Sequence, residues 1–224
     1  KVNPEEARPI IEKYFGSWKS AGPKPETFLP SVPPNKPSAT SVPDLSQTQV
    51  KVILAETLGL TRSHPDYYAL ELGNHVLGGA FYSTWLYRDL RENTGLVYYV
   101  SSSFDIGVTR SIYEIRYACD SGNVSKARAI IEHDLRKMQD EPVTPDELRK
   151  AKALLLREIL LSEASTESIA LGLINRASNE LPLDEPVIAA RRYMELTPEE
   201  VRAAFSKWLR IGDIVQVTQG PQLR

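Results

Sequence analysis

The sequence predicts an α+β fold: a largely antiparallel sheet with helices packed on one of its faces. Two observations carry that reading. Strand patterns gather in the first half, where residues 49–56 alternate Val50, Val52 and Leu54 against Lys51, Ile53 and Ala55, and where residues 97–100 and 110–119 flank a turn at 105–109. From Asn123 onward the pattern is mainly helical, with N-cap residues ahead of apolar stripes at helical spacing. Helices that follow a run of antiparallel strands cover one face of the sheet and leave the other free.

The elements follow in order. Asn3 is an N-cap, Pro4 a first helical position, Glu5 and Glu6 a first-turn acidic pair, and Ile10, Ile11, Tyr14 and Phe15 a face expected to be buried before Gly16 stops the helix. Residues 19–43 carry seven prolines (Pro23, Pro25, Pro30, Pro33, Pro34, Pro37 and Pro43) and read as an extended linker crossing a surface. After the strand at 49–56 comes a helix over 63–77, with Pro65 near its start, Tyr68, Leu72, Val76 and Leu77 as its stripe and Gly78-Gly79 as its stop. Ser83 caps the next helix, Trp85, Leu86 and Leu90 form its apolar face, and Asn93-Thr94-Gly95 ends it. A strand starts at once, so Arg91 and Tyr98 stand on either side of one glycine turn. A guanidinium and a phenol so placed both donate hydrogen bonds and can converge on one oxygen.

The strand at 110–119 pairs with its predecessor as a hairpin, for which Gly107 supplies the permissive backbone. Asn123 caps a helix marked by Val124, Ala127, Ile130, Ile131, Leu135 and Met138. Thr144-Pro145-Asp146-Glu147 is a capping box opening a long helix whose stripe runs through Ala151, Leu154, Leu155 and Ile159 to Ile169 and Leu173. A short helix at 184–193, another opened by Thr197-Pro198-Glu199-Glu200, and a closing strand at 214–218 complete the chain.

Composition narrows the function. With 27 basic and 29 acidic residues among 224, there is no charge excess to attract nucleic acid or an anionic membrane, and a peptide is the favoured kind of partner. No apolar run approaches the roughly 20 residues of a membrane span. The single cysteine, Cys119, forbids an internal disulfide and reads as a small buried hydrophobe. No G-x-S-x-G, phosphate-cradling loop or dinucleotide fingerprint is present. A catalytic zinc held by a helix needs two histidines four residues apart with a glutamate base nearby. His64, His75 and His133 each lack the second histidine, so no catalytic or metal-ligating residue is expected in this chain.

The run Y-S-T-W-L-Y-R-D-L-R-E-N-T-G-L-V-Y-Y-V-S-S-S, from Tyr82 to Ser103, resembles the insulinase or pitrilysin type of zinc peptidases, which includes the mitochondrial processing peptidase. The resemblance covers most of the chain, from about the first strand to the C-terminus, and L-Y-R-D-L-R-E-x-T-G-L-V-Y-Y-V-S-S is its most specific part. It implies the metallohydrolase-half fold of the processing peptidases, in which paired homologous halves enclose a chamber. One half carries zinc on H-x-x-E-H; the other contributes an Arg and a Tyr seven positions apart that bind substrate backbone, matched here by Arg91 and Tyr98. The zinc motif itself falls on Glu71-Leu-Gly-Asn74-His75, where Glu71 replaces the first histidine, Asn74 replaces the general base and only His75 survives. An amide takes no proton from water at useful pH, so this chain by itself is expected to be inactive.

The resemblance therefore implies a non-catalytic half that works with a zinc-bearing half, in the same chain or another, to hold an extended peptide. Zinc is expected in that partner half. The other class of function left open is a scaffold or binding subunit, as in core relatives of respiratory complexes. Residues 1–18 then correspond to the end of the preceding half, 19–43 to the linker and 44–224 to the domain itself; the isolated domain is expected to self-associate. The sequence leaves the compartment open, with a periplasmic or otherwise extracytoplasmic location favoured over a cytoplasmic one. Read without the resemblance, Arg88 and Arg91 with Asp89 and Glu92 are a solvent-facing, ion-paired helix surface, and His75 is a locally hydrogen-bonded histidine.

Overall fold

The computed structural model describes residues 3–23, 29–80 and 82–221. Lys1, Val2, the linker's Pro25 and the last three residues, all within the expected divisions of the chain, lie outside the described residues. A five-stranded sheet has the order β1-β5-β2-β4-β3, built from β1 (Ala39–Pro43), β2 (Val50–Leu58), β3 (Val97–Ile106), β4 (Ser111–Cys119) and β5 (Val215–Gly220). β1 and β5 run parallel; the other neighbours are antiparallel. The expected hairpin is β3–β4. Gly107 does not adopt a left-handed backbone there; a side chain would instead press on the Arg110 carbonyl, with a Cβ 3.0 Å from its oxygen.

Alternation fixes the two faces. Val50, Val52, Leu54 and Leu58 of β2 and Tyr113, Ile115 and Tyr117 of β4 are buried on one side. Against them lie α2 (Tyr67–Leu77), α4 (Val124–Asp140) and α8 (Pro198–Trp208), with α5 (Pro145–Ser162) and α7 (Glu185–Glu195) packed outside α2. Gly73 lets α2 and α8 touch, since a Cβ there would stand 2.4 Å from Phe205 and 2.7 Å from Val201. Both capping boxes form, at Thr144 with Glu147 and at Thr197 with Glu200. The opposite face is uncovered. It presents Lys51, Ile53, Arg116, Glu114, Tyr99, Ser101, Val217 and Gln219.

Several expectations are corrected. α1 (Pro4–Phe15) has the expected cap, Asn3 accepting from the Glu5 N–H, but it contains no buried residue: Ile10, Ile11, Tyr14 and Phe15 are 51 to 63% exposed. Its amphipathic pattern marks a face that wants a partner, and no described part of the chain supplies one. The proline-rich segment is not all linker, since Ala39–Pro43 adds an edge strand, and Asn35 exchanges hydrogen bonds with Thr57. Prolines are tolerated at a sheet edge because an edge strand need donate on only one side. α2 begins at Tyr67, four residues later than predicted, with 63–66 a turn in which His64 Nδ1 accepts from the Asp66 N–H. The long helix breaks at Glu163, and Ser165 caps a separate α6 (Thr166–Ser178) on which Ile169 and Leu173 are partly exposed. No described helix is long and apolar enough to cross a membrane.

Candidate functional site

Arg91 reaches its place through an irregular turn. Thr84, one residue beyond the predicted cap, accepts from the Tyr87 N–H and opens α3 (Trp85–Tyr87), which passes directly into a π-helical turn at Arg88–Glu92. The Asn93 N–H closes that turn on the Arg88 carbonyl at 2.8 Å. The Thr94 hydroxyl donates back into the turn, to Asp89 O at 2.8 Å and to Leu90 O at 3.0 Å, and Leu90 O also accepts the Leu96 N–H at 2.9 Å. Gly95 then takes a φ of +62°, the left-handed value that ends the helix and turns the chain into β3.

β3 starts with a second irregularity. Val97 pairs with Cys119 and Tyr99 with Ala118, so Tyr98 is an inserted residue, a β-bulge. The alternation that would send Tyr98 and Tyr99 to opposite faces is therefore broken. Both are exposed, and Tyr99 lies on the uncovered face. Arg91 Nη1 donates to the carbonyls of Val97 and Tyr98 and its guanidinium carbon lies 5.2 Å from the Tyr98 ring centre. The structure thus brings the two predicted residues together. Fixed through Nη1, Arg91 keeps Nε and Nη2 for another acceptor, and the Tyr98 hydroxyl makes no hydrogen bond among the described residues.

Around them is a recess of about 280 Å³ lined by Ala80, Tyr82, Tyr87, Arg91, Tyr98, Tyr99 and Val100. Tyr82, Tyr87 and Tyr99 were not singled out by the sequence, although Tyr87 lies four residues before Arg91, on the same helical face. Tyr82 holds a φ of +67° and meets Tyr87 edge to face at 5.2 Å. The lining offers donors and aromatic surface with no carboxylate, an arrangement suited to an electron-rich oxygen next to an apolar group. The outer edge of β3 is partly closed: Ser102 N–H donates to Gly78 O at 3.1 Å, and Asn74 Nδ2 donates to Ser102 O at 3.1 Å. By alternation, the outward backbone pair left open beside Arg91 is that of Val100.

The three positions of the degraded zinc motif do not fit a metal. Asn74 is buried, not solvated, and its Oδ1 accepts from Ser102 Oγ at 2.6 Å, so its amide bridges α2 to β3. His75 is 7% exposed, with Nδ1 3.0 Å from the Glu71 carbonyl and Nε2 3.3 Å from Glu158 Oε2. A carbonyl only accepts, so Nδ1 carries the proton toward Glu71 O, and Nε2 is turned to the Glu158 carboxylate, away from Asn74. Burial pushes the Glu71 carboxyl above its ordinary range, opposed by His75 and reinforced by Glu158. Among the described residues no cluster of three or more His, Cys, Asp or Glu side chains could hold a metal ion.

Comparison with known proteins agrees with this picture. The chain is 26% identical over 163 residues to the uncharacterized zinc protease YmxG of Bacillus subtilis, covering 70% of this chain and 37% of that protein. A crystallised peptidase M16 inactive domain from Pseudomonas fluorescens superposes with a TM-score of 0.82 at 27% identity, covering 99% of this chain and 52% of that one. A chain of Complex III2 from Candida albicans shares the fold, with a TM-score of 0.78 at 14% identity, and is covered over 53% of its length against 98% of this chain. The protein thus spans about a third to a half of these longer relatives. The family model described as the peptidase M16 inactive domain matches residues 1–155, more than half of the chain. The chain belongs to the peptidase M16 inactive-domain family.

Proposed function

We propose that this domain forms one wall of a peptidase chamber opposite a zinc-bearing homologous half, where Arg91 and Tyr98 grip a backbone carbonyl of an extended peptide. The observation that carries this reading is the fixing of Arg91 through Nη1 to the Val97 and Tyr98 carbonyls. It leaves donors from both residues over one recess. The backbone of Val100 offers a short stretch of strand pairing beside them, and the uncovered sheet face continues the wall. If the gripped oxygen gains negative charge as water attacks in the other half, both donors stabilise the transition state more than the bound substrate.

The experiment pairs the domain with a zinc-bearing half, as one chain or two. By analogy with the loss of one oxyanion donor, Tyr98→Phe and Arg91→Ala should each lower kcat on the order of 10 to 1000-fold, with folding intact. Their combined effect should be less than the product, because two groups acting on one oxygen are coupled. Since the bulge leaves Tyr99 exposed as well, Tyr99→Phe is expected to act through KM, by less than about tenfold. If neither Arg91→Ala nor Tyr98→Phe changes kcat/KM, the clamp is wrong. The domain is then a scaffold, the reading for which the shared fold with a chain of Complex III2 speaks.

A further inference from the structure

Beside the π-turn lies an unsatisfied buried acid. Asp134 of α4 is 2% exposed, and its Oδ2 is shut off from solvent with no hydrogen-bond partner. Buried carboxylates are ordinarily paired, because an unpaired one carries the desolvation of a whole charge. α4 packs against both α3 and the π-turn, so the underside of the turn that carries Arg91 is what Asp134 meets. Arg88 and Asp89 face it from that turn, and His133 and Lys137 from its own helix. Glu147, at the start of α5, acts on the same Arg88 and Lys137.

Arg88 feels the charge of both acids but is bound to one. It grips Asp89 with both arms, Nε to Oδ1 at 2.8 Å and Nη2 to Oδ2 at 2.7 Å, and Asp89 Oδ1 also accepts from Asn93 Nδ2 at 2.9 Å. Arg88 and Asn93 are the two ends of the π-turn's closing backbone bond. The side-chain relay Arg88–Asp89–Asn93 therefore straps the same turn whose backbone decides where Arg91 projects. An ionised Asp134 attracts Arg88 and repels Asp89 together, and both forces act to open the strap.

We propose that Asp134 is a positioning residue: its proton decides whether Arg88 stays locked on Asp89, and through the π-turn how firmly Arg91 is held toward the recess. This deepens the clamp reading and rests on it for its functional meaning, while the coupling itself is a property of the fold. Burial pushes the Asp134 carboxyl up to about 6, with the Asp89 charge adding to the rise and His133, Arg88 and Lys137 opposing it. Asp134 is thus neutral below that value and ionised above it. Arg91 is held firmly on the acid side and more loosely on the alkaline side.

The test needs neither a partner half nor a peptide. In the isolated domain, NMR follows the Asp134 side-chain carboxyl carbon, the Arg91 Nε–H and exchange of the Asn93 backbone N–H from pH 4.5 to 8. The carboxyl and Arg91 signals should move with one midpoint, near 6, and the Asn93 protection factor, corrected for intrinsic exchange, should fall by roughly threefold to tenfold across it. Asp134→Asn should freeze the acid-side values at all pH. Arg88→Met should silence Arg91 while the Asp134 carboxyl still titrates, and His133→Gln should leave the transition in place, separating it from the imidazole next door. An Asp134 midpoint near the ordinary 3.8, or an Arg91 signal that stays flat while the wild-type carboxyl titrates, overturns the proposal even if a variant fails to fold. A clamp that fails its kinetic test leaves these readings unchanged, so the two failures are distinguishable.

Discussion

Asn74 explains at the scale of one side chain why supplying the motif's residue types at positions 71 and 74 would not by itself make a zinc site. Both ends of its amide are used on β3, donating to Ser102 O and accepting from Ser102 Oγ. Gly79 is small because the amide needs the room, a Cβ there standing 2.4 Å from Asn74 Nδ2. A glutamate at position 74 would bring a charge into that buried bridge and lose the donor that satisfies the Ser102 carbonyl. Asn74→Ala is expected to destabilise the domain by roughly 1 to 3 kcal/mol, the cost of leaving buried polar groups unpaired, with no effect on metal content. Urea unfolding measures the first and elemental analysis the second. Gain of stoichiometric zinc by Asn74→Glu with Glu71→His alone would show that the amide bridge does not exclude a metal.

At the scale of elements, two insertions of a single residue make the site. The π-turn advances Arg91 relative to an ordinary helix, and the bulge at Tyr98 advances the strand, so the two meet across Gly95. Thr94 ties the end of the turn back onto it, its hydroxyl donating to Asp89 O and Leu90 O just before the chain enters β3. Thr94→Val keeps the shape and removes those bonds. It should cost about 1 to 2 kcal/mol and weaken the effect of Arg91→Ala in the paired enzyme, since Arg91 would already be loose. Undiminished Arg91 dependence in Thr94→Val would show that the π-turn is incidental. The sequence made the fold class, the hairpin and the helix starts at Thr144 and Thr197 legible, because each rests on a local pattern of period or cap, whereas Arg91 and Tyr98 stand out only through the family resemblance and its spacing. It did not reveal the bulge, the π-turn or β1. An inserted residue changes no apolar pattern around it, and β1 is an edge strand whose five residues are all exposed and so lack alternation. The amphipathic stripe of α1 was visible, but a stripe states only that a surface is suited to burial. With Ile10, Ile11, Tyr14 and Phe15 exposed, removing residues 1–18 should reduce self-association of the isolated domain without lowering its melting temperature. Sedimentation and calorimetry check the two parts.

For the whole molecule, buried acids set an unusual dependence of stability on pH. Glu56 is 2% exposed on the covered face of β2, where it accepts the Arg210 backbone N–H at 3.0 and 3.2 Å. Burial raises its carboxyl to about 7, partly offset by that hydrogen bond and by the Arg210 charge, and Asp134 is raised to about 6 by burial. Both values lie above those of the unfolded chain. Between the unfolded and folded values the native state holds protons that the unfolded chain has released, so stability falls as pH rises through roughly 4 to 7. Acids with the opposite shift act lower down. Hydrogen bonds and the Lys207 charge outweigh burial at Asp66, and the bond from Trp85 and those from Thr144 outweigh it at Glu147, lowering both carboxyls. Their contribution is present above their ordinary values and is lost as pH falls through the lowered ones. The domain should therefore be most stable near pH 5. Glu56→Gln keeps an acceptor for the Arg210 N–H and removes the ionisation, so it should raise stability at pH 8 by as much as about 2 to 3 kcal/mol and change it little at pH 4. Asp134→Asn should act in the same direction with its transition about one unit lower. Urea melts from pH 4 to 8.5 decide the matter: wild-type stability that climbs steadily from pH 5 to 8, or a Glu56→Gln gain that persists undiminished at pH 4, would mean that these carboxyls are not held protonated by the fold.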